Sequence, residues 1–167
     1  MIMSTTVNSV SATTSGGGAA KPILLGGLIA GTLDLTAAFT SAWLRSGVSP
    51  VRVSQYIASG VLGPAAFTKG AGAVALGVAC HFLIATGAAA AYYLASRKLR
   101  FLVDWPISMG LLYGVIVYFF TTSIVVPLSR VTPPRAAPPL SSRLLAMLII
   151  MFCVGLPISL IVRRFSK

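Results

Sequence analysis

Apolar positions in this chain gather into four long runs, and the polar positions fall almost entirely between them. The runs extend over Pro22 to Leu44, Gly72 to Ala95, Pro106 to Val126 and Leu144 to Val162. At a rise of 1.5 Å per residue, about 20 apolar residues carry a helix across a ~30 Å hydrocarbon core, and each run meets that need. Charged residues bracket them in turn: Lys21 and Arg45, Lys69 and Arg97, Asp104 and Arg130, Arg143 and Arg163. Trp43, Tyr92, Tyr93 and Trp105 lie near the ends, where amphipathic rings sit among the headgroups. The pattern predicts an all-α fold, an integral membrane four-helix bundle.

The connections differ in kind. Residues 1–20 are rich in Ser, Thr and Gly and carry no charged side chain, which predicts a disordered N-terminal tail before a single transmembrane domain over 21–167. No basic segment precedes a short apolar core there and no cleavage pattern follows, so the first helix is expected to remain in the mature protein. Pro127, Pro133, Pro134, Pro138 and Pro139 predict an extended loop over 127–142 that excludes helix. The 46–70 connection holds a helix start of its own. Ser49 can cap and Pro50 suits the first turn, after which Val53, Tyr56, Ile57 and Val61 recur at helical spacing. Arg52, Gln55 and Ser59 fall on another face. About 13 residues cannot span, so a short amphipathic helix is expected near 50–62, at the interface between the first two membrane helices. It either covers the bundle from its surface or re-enters to line a cavity.

Composition narrows the class further. Of 167 residues, 56% are hydrophobic and 9% charged, and the mean hydropathy is +0.92. Soluble domains carry about 25% charged residues, so the lipid bilayer is the expected partner. The net charge of +11 raises the question of nucleic acid. The 13 Lys and Arg flank apolar runs, where they meet lipid phosphates, and no polar domain interleaves them with aromatics. No nucleic-acid partner is expected. With four crossings, the N-terminus, the 96–105 loop and the C-terminus share one side. That side holds seven basic residues against six on the other, packed against helix ends in Arg97-Lys98-Leu99-Arg100 and Arg163-Arg164. Position near the membrane decides orientation, which places both termini in the cytoplasm.

Within the runs, small residues mark helix contacts. Gly27 and Gly31 make a GxxxG in the first helix, and Gly110 and Gly114 make one in the third. Such spacing lets backbones approach closely, within one chain as the first expectation and across a homodimer as the second.

Asp34 is the one acid inside an apolar run. A carboxylate at that depth costs roughly 2.5–3.5 kcal/mol on insertion scales, so its presence asks for a reason. It lies 10 residues before Leu44, about 15 Å from that end. His81, the only histidine, lies 9 residues after Gly72, about 13–14 Å from the same face. Neighbouring helices would bring the two to one level, where a carboxylate–imidazole hydrogen bond could satisfy both. Cys80 and Cys153 fall near that level too, but Cys80 and His81 point about 100° apart on a helix and do not suit one ion. No metal site and no cofactor is expected. Phosphate loops, dinucleotide fingerprints, HExxH and a second intramembrane carboxylate are all missing, so no enzyme is expected either.

Several short stretches carry a resemblance. Gly26-Gly27-Leu28-Ile29-Ala30-Gly31-Thr32-Leu33-Asp34, Ser49-Pro50 with Gln55-Tyr56-Ile57-Ala58-Ser59-Gly60, Cys80-His81-Phe82, Leu112-Tyr113-Gly114, Val126-Pro127-Leu128-Ser129 and Gly155-Leu156-Pro157-Ile158 together resemble a group of small four-helix bacterial inner-membrane proteins. More distantly the layout is similar to the YagU-like family, with a His near a helix centre and a Pro-rich loop before the last helix. The resemblance covers about residues 22–165 and implies a bacterial inner membrane and an association with acid tolerance. Members of the first group often carry a second His just before a Met-Phe pair in the last helix. Here Ile150 precedes Met151-Phe152, a departure from any two-histidine site.

Two readings of function follow. In the first, the chain is a non-enzymatic multi-pass membrane protein whose Asp34–His81 pair is mainly structural. In the second, it is a small proton-coupled transporter with Asp34 as the proton and substrate site. A polar cavity reaching Asp34 from one face would separate them.

Overall fold

The computed structural model describes residues 18–132 and 138–166. Most of the expected tail, residues 1–17, lies outside the described residues, as do Pro133 and Pro134 of the expected loop. The fold is all-α. Among the described residues, four helices are long and apolar enough to cross a membrane: α1 (Ala20–Ser46), α3 (Gly70–Lys98), α5 (Pro106–Leu128) and α6 (Leu140–Ser166). Between them lie α2 (Pro50–Leu62), a 3-10 turn over Gly63–Phe67 and the single turn α4 (Phe101–Asp104). Large apolar side chains such as Leu24, Leu28, Leu83, Leu112, Ile116 and Phe152 face outward, as a bilayer requires.

Local sequence sets the boundaries. α1 stops at Gly47, whose φ of 63° is the left-handed conformation that glycine adopts without penalty, with its N–H bonded to Ala42 and Trp43 carbonyls. α2 starts as its sequence suggests, with the Ser49 hydroxyl accepting from the Arg52 N–H and Pro50 in the first turn.

The proline-rich connection departs from expectation at both ends. Pro127 lies inside α5, and α6 already begins at Leu140. α5 tolerates the proline because a π turn over Thr121–Val125 precedes it. α6 repeats the device, with a π turn over Met151–Gly155 before Pro157. A helix-interior proline lacks an N–H and its ring presses on the carbonyl four residues back. Widening the turn before it relieves that clash without ending the helix.

Glycines fix which helices pair. On α1, a Cβ on Gly27 would stand 2.6 Å from the Thr86 Cα, and one on Gly31 would stand 2.8 Å from the Phe82 ring, so α1 and α3 touch closely there. On α5, Gly110 lies against Leu156 and Ser159, and Gly114 against Ile150 and Met151, so α5 and α6 form a second close pair. α1 also meets α6, with Gly26 near Ile158. One half of the bundle is then sealed by a core of Ala30, Ala89, Tyr92, Val154, Ile158 and Val162. In that half Tyr92 donates to the Leu102 carbonyl at 2.9 Å, Tyr113 to Ala88 at 2.7 Å and Ser159 to Pro106 at 2.7 Å.

The short helix sits differently from a surface cover. α2 turns its polar residues Ser54, Gln55 and Ser59 inward and leaves Val51, Tyr56 and Val61 exposed. It crosses α3 at Gly77, where a Cβ would stand 2.8 Å from the Ser54 carbonyl carbon. Small side chains are what permit that approach, and the buried serines bond back to Pro50 and Tyr56 carbonyls. The Arg130 N–H then donates to the Gly60 carbonyl at 2.9 Å, tying α2 to the end of α5.

Gly114→Val should destabilise the bundle by about 1–3 kcal/mol, because the added branch meets backbone atoms that cannot move aside. Gly72→Ala, with nothing near its Cβ position, should leave stability unchanged or raise it by about 0.5–1 kcal/mol. Denaturant unfolding in mixed micelles checks the contrast. Equal stability of the two variants would contradict this packing.

Candidate functional site at Asp34 and His81

The close α1–α3 contact at Gly27 and Gly31 places residues one turn further along α1 beside the middle of α3. Asp34 and His81 come together there, with Oδ2 and Nε2 3.9 Å apart. That separation allows electrostatic attraction to a protonated ring but is too long for the carboxylate–imidazole hydrogen bond expected. The imidazole has another partner. Nε2 lies 2.9 Å from the Gly31 carbonyl oxygen, which can only accept, so Nε2 carries the hydrogen. Gly31 permits the contact because it has no side chain between its carbonyl and the ring. Nδ1 is then the nitrogen that can take a proton without disturbing this bond.

Asp34 is left without a hydrogen-bond donor among the described residues, its side chain 21% exposed. Two cavities reach it. The smaller, about 340 Å³, is a groove between α1 and α6 lined by Asp34, Ala38, Ser41, Ala42, Arg45, Ser142 and Ile149 among others. It runs from Asp34 to the exposed Arg45 and Ser46, about 16 Å along α1. At its outer end Arg45 donates to the Ser142 hydroxyl at 2.7 Å. The larger, about 460 Å³, is a chamber among α2, α3, α5 and α6. Tyr56, Gly60, Cys80, His81, Ala88, Thr121, Val125, Ser129 and Val154 contribute to its walls. Asp34 and Ile150 line both cavities.

The other sequence-marked residues fall into place around this centre. Gly27 and Gly31 bring α3 to α1, while Gly110 and Gly114 hold α5 to α6. Cys80 lines the chamber beside His81, which is wide enough to take residues about 100° apart on one helix. Cys80 and Cys153 are unbridged and half-buried. Among the described residues no three His, Cys, Asp or Glu side chains gather closely enough to hold a metal ion. Thr32, Thr36 and Thr40 bond back to carbonyls of their own helix and add nothing to the site. Arg45 with Ser142 and the Gly31 carbonyl carry no sequence signal that marks them as site residues. Only the proline two residues after each π turn signalled that α5 and α6 would deform beside the chamber.

No protein-family model, curated protein or solved structure matches the chain.

The geometry separates the two polar residues in their effect on stability. His81→Leu removes the bond to Gly31 and should destabilise by about 0.6–1.7 kcal/mol, the range of such bonds between membrane helices. Asp34→Asn and Asp34→Leu leave that bond in place, so both should unfold at or above the wild-type denaturant midpoint. Loss of stability in Asp34→Leu alone would show that the carboxylate is a structural partner of His81 after all.

Proposed function

We propose that this chain is a small, non-enzymatic, proton-coupled membrane transporter in which Asp34 alternately holds a proton and a solute. The observation that supports this best is the position of Asp34 at the wall common to two cavities, with no hydrogen-bond donor of its own among the described residues. A carboxylate at this depth costs roughly 2.5–3.5 kcal/mol, and a merely structural pair would be expected to recover that cost by hydrogen bonding. The register between α1 and α3 is already held by His81 on Gly31 and by the glycine contacts, neither of which uses the carboxylate. The groove supplies a path for protons, since Ser41, Arg45 and Ser142 line its way to the interface.

The second reading, a structural polar pair, draws on the same 3.9 Å separation. The resemblance to small bacterial inner-membrane proteins, and more distantly to the YagU-like family, supports placement in a bacterial inner membrane, and proton handling fits the acid-tolerance association it implies. Ile150, where the resembling group often carries a second His, lies on the wall of both cavities.

In vesicles loaded with a small-molecule extract of bacterial cells and given an imposed pH gradient, the wild type should carry protons inward faster than protein-free vesicles. Asp34→Asn should remove the difference and His81→Gln should reduce it. Unchanged flux in Asp34→Asn would return the pair to the structural reading.

The same proposal puts both termini in the cytoplasm, a reading supported by Arg97, Lys98, Arg163 and Arg164 at the helix ends. In a Cys80→Ala, Cys153→Ala background, cysteines at Gly47 and Val131 should then react with an impermeant maleimide from outside the cell. A cysteine at Arg100 should react only after the membrane is opened. Reaction of all three from one side would sink the topology, and the reverse pattern would invert the orientation.

A further inference from the structure

We propose that the larger cavity is a binding chamber for a lipophilic monovalent cation that arrives sideways from the bilayer between α3 and α5. The inference rests on the transport reading of Asp34 and names the class of its solute. Three observations lead to it. The first is the shape of the bundle. α3 and α5 meet at the Tyr92 and Tyr113 rings, whose centroids are 4.9 Å apart, and at the Tyr113 bond to Ala88. From Ala88 towards the start of α3, and from Val117 towards the end of α5, the chamber lies between them.

The second is where its walls end. Leu83 and Ile84, both lining the chamber, are 73% and 45% exposed on the outer face of α3. Val126 on α5 and Tyr56 and Val61 on α2 are likewise exposed. In a membrane that exposure is to lipid, so the chamber communicates with the hydrocarbon and admits a solute already dissolved there. The third is charge. Among the described residues the chamber is lined by Asp34 and by no Lys or Arg, the guanidinium of Arg45 belonging to the groove. An apolar room of about 460 Å³ with one carboxylate suits a small apolar molecule with one positive charge. The Tyr56 ring at its edge adds a face that attracts cations.

The exchange balances simply. Asp34 as carboxylate holds the cation; a proton arriving along the groove forms the O–H bond, neutralises the carboxylate and releases the cation, one positive charge for another. Among the described residues, the titratable and charged groups that share a cavity wall with Asp34 are His81 and Cys80 from α3, Tyr56 from α2 and, at the far end of the groove, Arg45, while Cys153 from α6 lies near enough to feel its charge. A positive charge on His81, 3.9 Å from Asp34, would compete with the cation for the carboxylate.

Binding of tetraphenylphosphonium and of its anionic isostere tetraphenylborate to the purified full chain in nanodiscs tests the proposal, alongside proton uptake in vesicles. The phosphonium should bind and the borate should not. Asp34→Asn should weaken phosphonium binding about tenfold or more, and Val125→Phe, which fills the chamber, should do the same. Val125→Ala should bind as wild type, which assigns the loss in Val125→Phe to filling when both variants elute as monodisperse protein. Ala42→Leu, which lines only the groove, should keep binding and slow proton uptake. Equal affinity for both probes, or unaltered binding in Asp34→Asn or Val125→Phe, overturns the proposal. Asp34-dependent proton uptake without phosphonium binding overturns the solute class and leaves the carrier standing. Phosphonium binding without Asp34-dependent proton uptake keeps the chamber and overturns the carrier.

Discussion

A helix in hydrocarbon has no water to accept a backbone group that loses its partner, so every break in the ladder must be repaired within the protein. This chain places prolines inside two of its membrane helices, at Pro127 and Pro157, and both helices answer with a π turn just ahead. The repair has a spatial consequence. A π turn widens the helix locally, and Thr121 and Val125 from one such turn and Val154 from the other line the chamber. The same deformation that preserves the backbone bonds therefore shapes the room beside Asp34.

Packing by small residues divides the bundle into unequal halves. Gly27 and Gly31 draw α3 onto α1, and Gly110 and Gly114 draw α6 onto α5, but no such glycine faces the gap between α3 and α5 in the half that carries α2. Without water to squeeze apolar surfaces together, helices associate in lipid where their backbones can approach closely. Where they cannot, space remains. α2 occupies part of it, its serines and Ala58 turned to α3 and its carbonyl at Gly60 bonded to Arg130. The opposite half has Tyr92, Ile158 and Val162 filling the equivalent space and three side-chain hydroxyls bonding backbone carbonyls across it.

Much of this was legible in the chain. Four apolar runs with charged ends dictate four crossings, and counting 1.5 Å per residue from the α1–α3 connection puts Asp34 and His81 at one depth. The glycine spacings marked faces that pack tightly. What the sequence hid was the third party. Nothing in a list of polar residues shows that a backbone carbonyl, Gly31, would accept the hydrogen bond from the imidazole N–H, since every residue carries such an acceptor and only the approach of two helices exposes one. Pro127 misled for a related reason: read alone it ends a helix, but a π turn two residues earlier lets it stay. The inward-facing serines of α2 were hidden because burial in a membrane bundle follows side-chain size as much as polarity.

The two glycine-packed pairs also suggest what moves if Asp34 is to meet both sides. Each pair is held by backbone-to-backbone contact and would travel as one body. The sealed half is joined between the pairs by Tyr113 on Ala88 and the contact of Gly26 with Ile158, and through the short turn α4 by Tyr92 on Leu102. At about 0.6 kcal/mol for an average bond between membrane helices, the two tyrosine bonds together represent about 1.2 kcal/mol. One proton crossing 100 mV supplies about 2.3 kcal/mol, so the bonds alone are no barrier to rocking one pair against the other. The larger resistance is the burial of Tyr92, Ile158 and Val162 against each other, which would have to be matched by new contacts closing the chamber. Val117 and Val154 already line that chamber across from Leu83 and Ile84, with the apolar character such contacts need. A neutral Asp34 would let those walls meet, whereas a charged one would hold them apart, because closing hydrocarbon around an unpaired carboxylate carries the full cost of its desolvation. On the transport reading, protonation of one residue would thereby be coupled to the shape of the bundle without any dedicated linkage between them.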